Sequence, residues 1–205
     1  MTRHYAHDEG IAVRTHSLLL GILLLAVAVP AAAQRRAAPR RAWEPALGIA
    51  GGYYIIYVPG QGSLDGFAAP GTGFGGLLPV APSPTGLFAI LPIGEKLALE
   101  PSFDAHRTQS GGTTTFTGQL LGRLDYAWKG GWYGAAGANL LYFKATGASA
   151  TTVLGVNVGW GYRFHLTRNL GGRFEASYLM YPQNDDLGQA TNTFGLSFGV
   201  TMPLK

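Results

Sequence analysis

The sequence contains no cysteine, and only 13% of its 205 residues are charged. The absence of cysteine excludes disulfide scaffolds, thiolate zinc sites and cysteine nucleophiles. Charged residues usually make up about a quarter of a soluble domain, so a charge-rich exposed surface is missing here. Intrinsic disorder is excluded as well, because it requires high charge and few aromatic residues, whereas 12% of this chain is aromatic.

The net charge of +4 arises from one short segment. Four arginines and one acid lie between positions 34 and 45, whereas residues 46–205 hold nine basic and eight acidic residues. The main body of the chain is therefore nearly neutral, and we expect no nucleic-acid binding.

An export signal is predicted at residues 1–33. Arg14 precedes an apolar run at 18–29, and three alanines end the segment at Ala33. This order is typical of a signal peptide, and the apolar run is shorter than the about 20 residues that cross a membrane as a helix. We expect cleavage after Ala33 and a flexible basic linker over residues 34–45.

From residue 46 onward, apolar residues alternate with polar or small ones, which is typical of β-strands with two different faces. In one segment, for example, Val156, Val158 and Trp160 alternate with Asn157 and Gly159. The pattern predicts eight strands: 46–57, 85–92, 97–107, 116–128, 132–144, 154–165, 173–181 and 193–204.

The connections between the predicted strands are of two kinds, which alternate along the chain. Tight turns are predicted at 92–95, 129–131 and 167–171, and polar or glycine-rich loops at 58–84, 108–112, 145–151 and 182–190. This alternation is the connectivity of an up-and-down barrel.

The two strand faces have the polarity expected in a membrane. One face is aliphatic and aromatic, and the other holds small residues and the charges, which is the inverse of a soluble barrel. A β-sandwich with the apolar face in its core would need a charge-rich face opposite, and the sequence lacks one. We therefore predict an all-β fold over residues 46–205, an eight-stranded antiparallel up-and-down transmembrane β-barrel, which leaves no backbone edge exposed to lipid.

The predicted interior of the barrel contains seven charged residues. They are Glu100, Asp104, Arg123, Asp125, Arg163, Arg173 and Glu175. Buried charges are tolerated only when they are paired and hydrogen-bonded. We therefore expect a lumenal salt-bridge network, in which Arg123 meets the acids of the preceding strand and Arg163 meets Glu175.

No motif predicts catalysis, a cofactor or a metal. Gly71, Gly73 and Gly76 match the spacing of a dinucleotide-binding loop, but they do not join a strand to a helix. After removal of the signal peptide the remaining histidines are His106 and His165, too few for a histidine metal site. We expect a protein that is not an enzyme and binds no cofactor.

Residues 46–205 resemble the small eight-stranded outer-membrane barrels of Gram-negative envelopes, of the OmpA/OmpX type. The resemblance rests on the signal segment, the eight alternating strands, the alternation of turns and loops, and a last strand that is apolar at every second position. It implies an outer-membrane location, contact with outer-membrane lipid and with the barrel assembly machinery, and a monomer. The last strand of the family usually ends in an aromatic residue, whereas this chain ends in Leu204 and Lys205.

Two kinds of function remain open on the sequence. In the first, the salt-bridge network is a polar plug and the protein has a structural or surface-interaction role. Loops on rigid scaffolds commonly carry function, so an extracellular partner would meet loops 58–84 and 182–190. In the second, the lumen is a narrow channel or carrier path for a small solute.

Overall fold

The computed structural model describes residues 43–60, 62–70, 86–110, 112–183 and 190–204. The predicted signal peptide and residues 34–42 of the predicted linker lie outside these ranges. No helix within the ranges is long and apolar enough to cross a membrane.

The described part of the chain forms nine β-strands. They are β1 (Ala46–Val58), β2 (Gly62–Ala68), β3 (Gly86–Pro92), β4 (Leu97–Ser110), β5 (Thr113–Ala127), β6 (Trp132–Ala145), β7 (Thr151–His165), β8 (Gly171–Tyr181) and β9 (Thr191–Pro203). From β3 to β9 each strand pairs antiparallel with the next one in the chain. The pairing of β9 with β1 closes the sheet into a barrel.

Strands β2 and β3 share one position in the barrel wall. β3 pairs with Ala46–Ala50 and β2 pairs with Gly52–Val58, both on the same side of β1. The barrel therefore has eight strand positions, and the predicted eight-stranded antiparallel barrel is confirmed. When the paired residues are traced from strand to strand, starting at Gly48 of β1, the path returns to β1 near Val58. The register is therefore staggered by roughly ten residues around the barrel, which corresponds to a strand tilt of about 35–45° from the barrel axis.

Two segments predicted as loops contain strand structure. One of them is the segment 58–84, which contains strand β2. The side chains of β2 do not alternate, and the segment is a strand because it pairs with seven residues of β1. The predicted loop at 108–112 is a tight turn, since β4 and β5 stay paired up to Ser110 and Thr113. Gly112 has a φ of +82°, a left-handed conformation that favours glycine in such a turn.

The two ends of the barrel differ in their connections. Three tight turns, at 93–96, 128–131 and 166–170, lie at one end, which we call the turn end. They are closed by backbone hydrogen bonds such as Leu166 N to Leu170 O at 2.9 Å. The β1–β2 turn and the strand ends joined by the connections that precede β5, β7 and β9 lie at the opposite end, which we call the loop end. Strand β2 ends and β3 begins beside Gly52 and Ala50, in the middle of β1.

Large apolar side chains cover the outside of the barrel, as the alternation predicts. Phe116, Leu120, Val156, Trp160 and Phe198 are between 41% and 60% exposed, although they lie within long paired strands. The residues that alternate with such side chains face the interior and are buried, including most of the charged ones. The polarity of the barrel is therefore inverted relative to that of a soluble protein.

Candidate functional site

Five buried charged side chains meet inside the barrel, nearer to the turn end than to the loop end. They are Glu100 on β4, Arg123 and Asp125 on β5, and Arg173 and Glu175 on β8. We call these five residues the lumenal cluster. Each of them is at most 2% exposed, so the cluster lies in the interior and not at a surface.

Arg123 is the centre of the cluster. Its Nη1 and Nη2 atoms donate to the two carboxylate oxygens of Glu175 at 2.5 and 2.6 Å, a bidentate pair. Its Nη2 also lies 2.9 Å from Glu100 Oε1, and its Nε lies 3.3 Å from Asp125 Oδ1. One guanidinium thus bridges three carboxylates, the fork geometry in which arginine is strongest.

Arg173 supplies the second cation of the cluster. Its Nη1 contacts Glu100 Oε2, and its guanidinium carbon lies 3.8 Å from the centre of the Phe88 ring, a cation–π contact. The Tyr133 hydroxyl donates to Glu175 Oε2 at 2.6 Å. Glu175 therefore accepts hydrogen bonds from Arg123 and Tyr133, and Glu100 is ion-paired with both arginines, as a buried carboxylate requires.

The strand register explains why these residues meet. Glu100 and Arg123 are direct partners across the β4–β5 pair, and Asp125 is two residues away on the same face of β5. Strands β4 and β8 are four positions apart in a barrel of eight, so they lie on opposite sides of the lumen. The contact between Arg173 and Glu100 therefore ties opposite walls of the barrel together.

Glycines on the intervening strands make room for the cluster. A Cβ atom at Gly159 on β7 would lie 2.6 Å from Glu175 Oε1, and one at Gly137 on β6 would lie 2.5 Å from the Cβ of Arg123. Eight strands enclose a space just wide enough for side chains to fill it. The arginines fit across this space because these two wall positions carry no side chain.

Arg163 does not meet Glu175, which corrects the predicted pairing. In the β7–β8 register Arg163 lies opposite Arg173, whereas Glu175 lies opposite Gly161 and is held by Arg123 from across the lumen. The guanidinium of Arg163 instead lies 4.0 Å from the centre of the Trp43 ring. Arg163 is therefore a neighbour of the lumenal cluster on its turn-end side.

Trp43 closes the interior at the turn end. Its indole is buried among Ala46, Ala98, Ala127 and other small inward side chains, and its Nε1 donates to the backbone oxygen of Lys96 at 2.8 Å. This residue belongs to the segment predicted as a flexible linker. No alternation extends to it, so the sequence pattern offered no signal that it enters the barrel.

Asp104, the seventh predicted site residue, is buried on the loop-end side of the cluster. It shares the inward face of β4 with Glu100 and pairs in register with Gln119 on β5. Further toward the loop end the interior is lined by uncharged polar residues, including Asn139 and Asn157. Apart from Asp104, the interior charges thus lie in one layer near the turn end.

The chemistry of the cluster is that of ion pairing. Its groups are guanidinium and carboxylate, joined by one phenol, and they are directed at one another. Within the described ranges, no three histidine, aspartate or glutamate side chains are placed to hold a metal ion. The arrangement can close the lumen and tie β4, β5 and β8 together.

The closed barrel, its apolar exterior and its charged interior define the class, a small eight-stranded antiparallel β-barrel with inverted polarity. The crystal structure of Neisserial surface protein A (NspA) is similar, with a TM-score of 0.50 and 14% identity over 78% of this chain and 97% of that one. Ail, the attachment invasion locus protein of Yersinia pestis, has a TM-score of 0.44 and 15% identity over 78% and 98%. CarO of Acinetobacter baumannii has a TM-score of 0.39 and 11% identity over 81% and 100%. No family model and no curated protein matches the sequence.

Proposed function

We propose that the chain is an outer-membrane β-barrel protein of a Gram-negative bacterium with a structural or surface-interaction role. The lumenal cluster and Trp43 plug its interior, and its loop end faces outward from the cell. The observation that carries the proposal is the apolar exterior, on which Trp160 and Leu154 are 60% and 62% exposed. Such side chains on every wall of a closed barrel are stable in contact with acyl chains and unstable in water.

The plugged interior favours the structural role over a channel. Arg123 and Arg173 join opposite walls through contacts with Glu100 and Glu175, and these side chains are almost completely buried. A solute path would have to break several charge-assisted hydrogen bonds in a site of low dielectric constant. A narrow channel is therefore the less favoured alternative.

The membrane assignment is tested by quenching of tryptophan fluorescence. The protein has four tryptophans, of which Trp160 points outward and Trp43 points into the lumen. Two variants, each retaining one of these two tryptophans and phenylalanine at the other three positions, are folded into vesicles with brominated acyl chains. We expect strong quenching of Trp160 and little quenching of Trp43. Equal emission of Trp160 in brominated and ordinary lipid would contradict the proposal.

The orientation is tested by labelling introduced cysteines, which are unique because the chain has none. Ser149→Cys lies in the β6–β7 connection at the loop end, and Asn169→Cys lies in the β7–β8 turn. On intact cells a membrane-impermeant maleimide should label position 149 and not position 169, whereas both should react after lysis. Labelling of position 169 alone on intact cells would reverse the orientation.

An extracellular partner would meet the segments 58–84 and 182–190, the two longest of the predicted loops. Residues 71–85 and 184–189 of these segments lie outside the described ranges. Support for this part of the proposal comes from the rigid barrel below, since binding residues are commonly carried on loops of a rigid scaffold.

A further inference from the structure

A basic and aromatic row crosses the outer wall near the loop end. Arg107 on β4 pairs in register with Phe116 on β5, which in turn pairs with Lys144 on β6. All three are exposed and belong to the outward faces of their strands. Phe116 thus lies between the two cations, and the Tyr142 ring, one row closer to the turn end, packs edge-on against it with their centroids 6.1 Å apart.

These two cations stand out because the wall around them is uncharged. Arg107 and Lys144 are the only charged residues on the outward faces of β4, β5 and β6, all of which the structure describes. Neither forms a salt bridge with a carboxylate in the described part of the chain. Both charges are therefore available to an anion supplied from outside the protein.

The row lies where a membrane of ordinary thickness would end. Ten residues of β4 separate Leu97, at the turn end, from Arg107. This is about 33 Å along the strand and about 25 Å along the barrel axis at the expected tilt. The apolar band of outer-membrane barrels is also about 25 Å tall, so Arg107 and Lys144 would lie at the level of the lipid headgroups of the outer leaflet.

The wall directly below the row is uncharged and largely apolar. The next outward row toward the turn end contains Ala105, Gly118 and Tyr142, and a Cβ atom at Gly118 would lie 3.6 Å from the Phe116 ring. The row after that consists of three large exposed side chains, Phe103, Leu120 and Leu140. A headgroup held by the two cations would therefore place its acyl chains against an apolar wall.

We infer that Arg107 and Lys144 form a binding site for a lipid whose headgroup carries a phosphate monoester. Their Cα atoms are two strand spacings apart, about 10 Å, so the two long side chains can converge on one phosphate above Phe116. The acyl chains of the lipid would lie against the apolar wall of Phe103, Leu120 and Leu140. This inference rests on the proposed membrane location, and the experiment below separates the two.

The test measures lipid retention by native mass spectrometry of the full chain folded in a nonionic detergent. The probes are dioleoyl phosphatidic acid, which has a phosphate monoester headgroup, and dioleoyl phosphatidylcholine. Arg107→Gln/Lys144→Gln removes the site. Lys96→Gln/Lys129→Gln is the matched control, since it removes the same charge from two exposed turns at the turn end.

We expect the wild-type protein to bind phosphatidic acid on the order of tenfold more tightly than phosphatidylcholine, because each cation at a lipid surface strengthens binding to anionic headgroups. The Arg107/Lys144 variant should lose this preference and the control variant should keep it. An equal loss in both variants would overturn the inference by showing a nonspecific charge effect. Inorganic phosphate that competes at the same concentration as phosphatidic acid would overturn the assignment to a lipid.

Failure of this inference and failure of the proposed function give different results. A wild-type protein in which brominated lipid quenches Trp160, but which does not prefer phosphatidic acid, would refute the lipid site and leave the membrane assignment intact. Absence of Trp160 quenching would refute the membrane assignment, and the lipid site with it.

Discussion

Replacement of Arg123 by alanine tests the lumenal cluster most directly. The guanidinium contacts three buried carboxylates at distances between 2.5 and 3.3 Å. After its removal Glu100 keeps Arg173, and Glu175 keeps the Tyr133 hydroxyl. Asp125 is affected most, since Arg123 is the only cation that contacts it among the described residues. Removal of one partner of a buried ion pair typically destabilises a protein by about 3–5 kcal/mol, because the other charge stays buried without its partner.

We therefore expect Arg123→Ala to lower the free energy of unfolding by about 4 kcal/mol. The measurement is reversible urea unfolding in lipid vesicles followed by tryptophan fluorescence. With a typical denaturant slope of about 2 kcal/mol per molar, the urea midpoint should fall by about 2 M. Arg168→Ala, in an exposed turn at the turn end, is the matched control and should change stability by less than about 0.5 kcal/mol.

A double variant separates the ion pair from the general effect of truncation. Adding Glu175→Gln to Arg123→Ala removes one of the carboxylates that the first substitution leaves buried and without its cation. The double variant should therefore be less destabilised than the sum of the two single variants. A loss of less than about 0.5 kcal/mol for Arg123→Ala alone would refute the reasoning, because the cluster would then not stabilise the barrel.

Three further predictions concern the packing, the exterior and the conductance of the barrel. Gly159→Val should destabilise the protein by about 1–3 kcal/mol in the same urea assay, because its Cβ would lie 2.6 Å from Glu175 Oε1, whereas Gly122→Val, on the outward face where a Cβ would have no heavy atom within 4 Å, is the matched control and should leave the cluster unaffected. Leu120→Arg, on the lipid-facing side of β5, should cost about 2–4 kcal/mol in vesicles and much less in detergent; an equal loss in both would contradict a lipid-facing wall. Purified wild-type protein in planar bilayers should give no stable single-channel openings, and well-defined openings would refute the plug.

The faces of the strands could be predicted from the sequence because side chains in a strand alternate strictly between two sides. The outward positions of Phe116, Val156 and Phe198 follow from this rule alone, and so do the inward positions of Glu100 and Arg123. The alternation rule does not depend on which strands are neighbours. It therefore assigns the correct face to a residue even where the predicted strand ends are wrong. The predicted strands and the observed ones accordingly differ mainly at their ends.

Contacts across the lumen could not be predicted in the same way. They depend on the stagger of the barrel, which determines the height at which β8 faces β4 and β5. Arg163 and Arg173 both lie on the inward face, but only the register places Arg173 beside Glu100 and Arg163 beside Trp43. Strand β2 was missed for a related reason, since its pairing comes from β1 and not from its own pattern.

The same periodicity suggests what the lumenal cluster contributes beyond stability. A slip of β8 by one residue would turn its apolar side chains inward, so the exterior opposes it strongly. A slip by two residues keeps every apolar side chain outward, and the exterior does not oppose it. Such a slip would replace Glu175 by Arg173 or by Ser177 at the position facing Arg123, and the bidentate ion pair would be lost.

We therefore expect the cluster to specify the strand register, and a variant in which the cluster is apolar tests this hypothesis. Its substitutions are Glu100→Leu, Arg123→Met, Asp125→Val, Arg173→Met and Glu175→Leu. Because apolar replacement of a complete buried ion-pair network is often neutral or stabilising, the variant should remain folded. We expect it to show more than one set of backbone amide signals by NMR in detergent, since two-residue slips would no longer be opposed by charge. A single set of signals with the native β7–β8 and β8–β9 contacts would show that hydrogen bonding and the connections determine the register without the cluster.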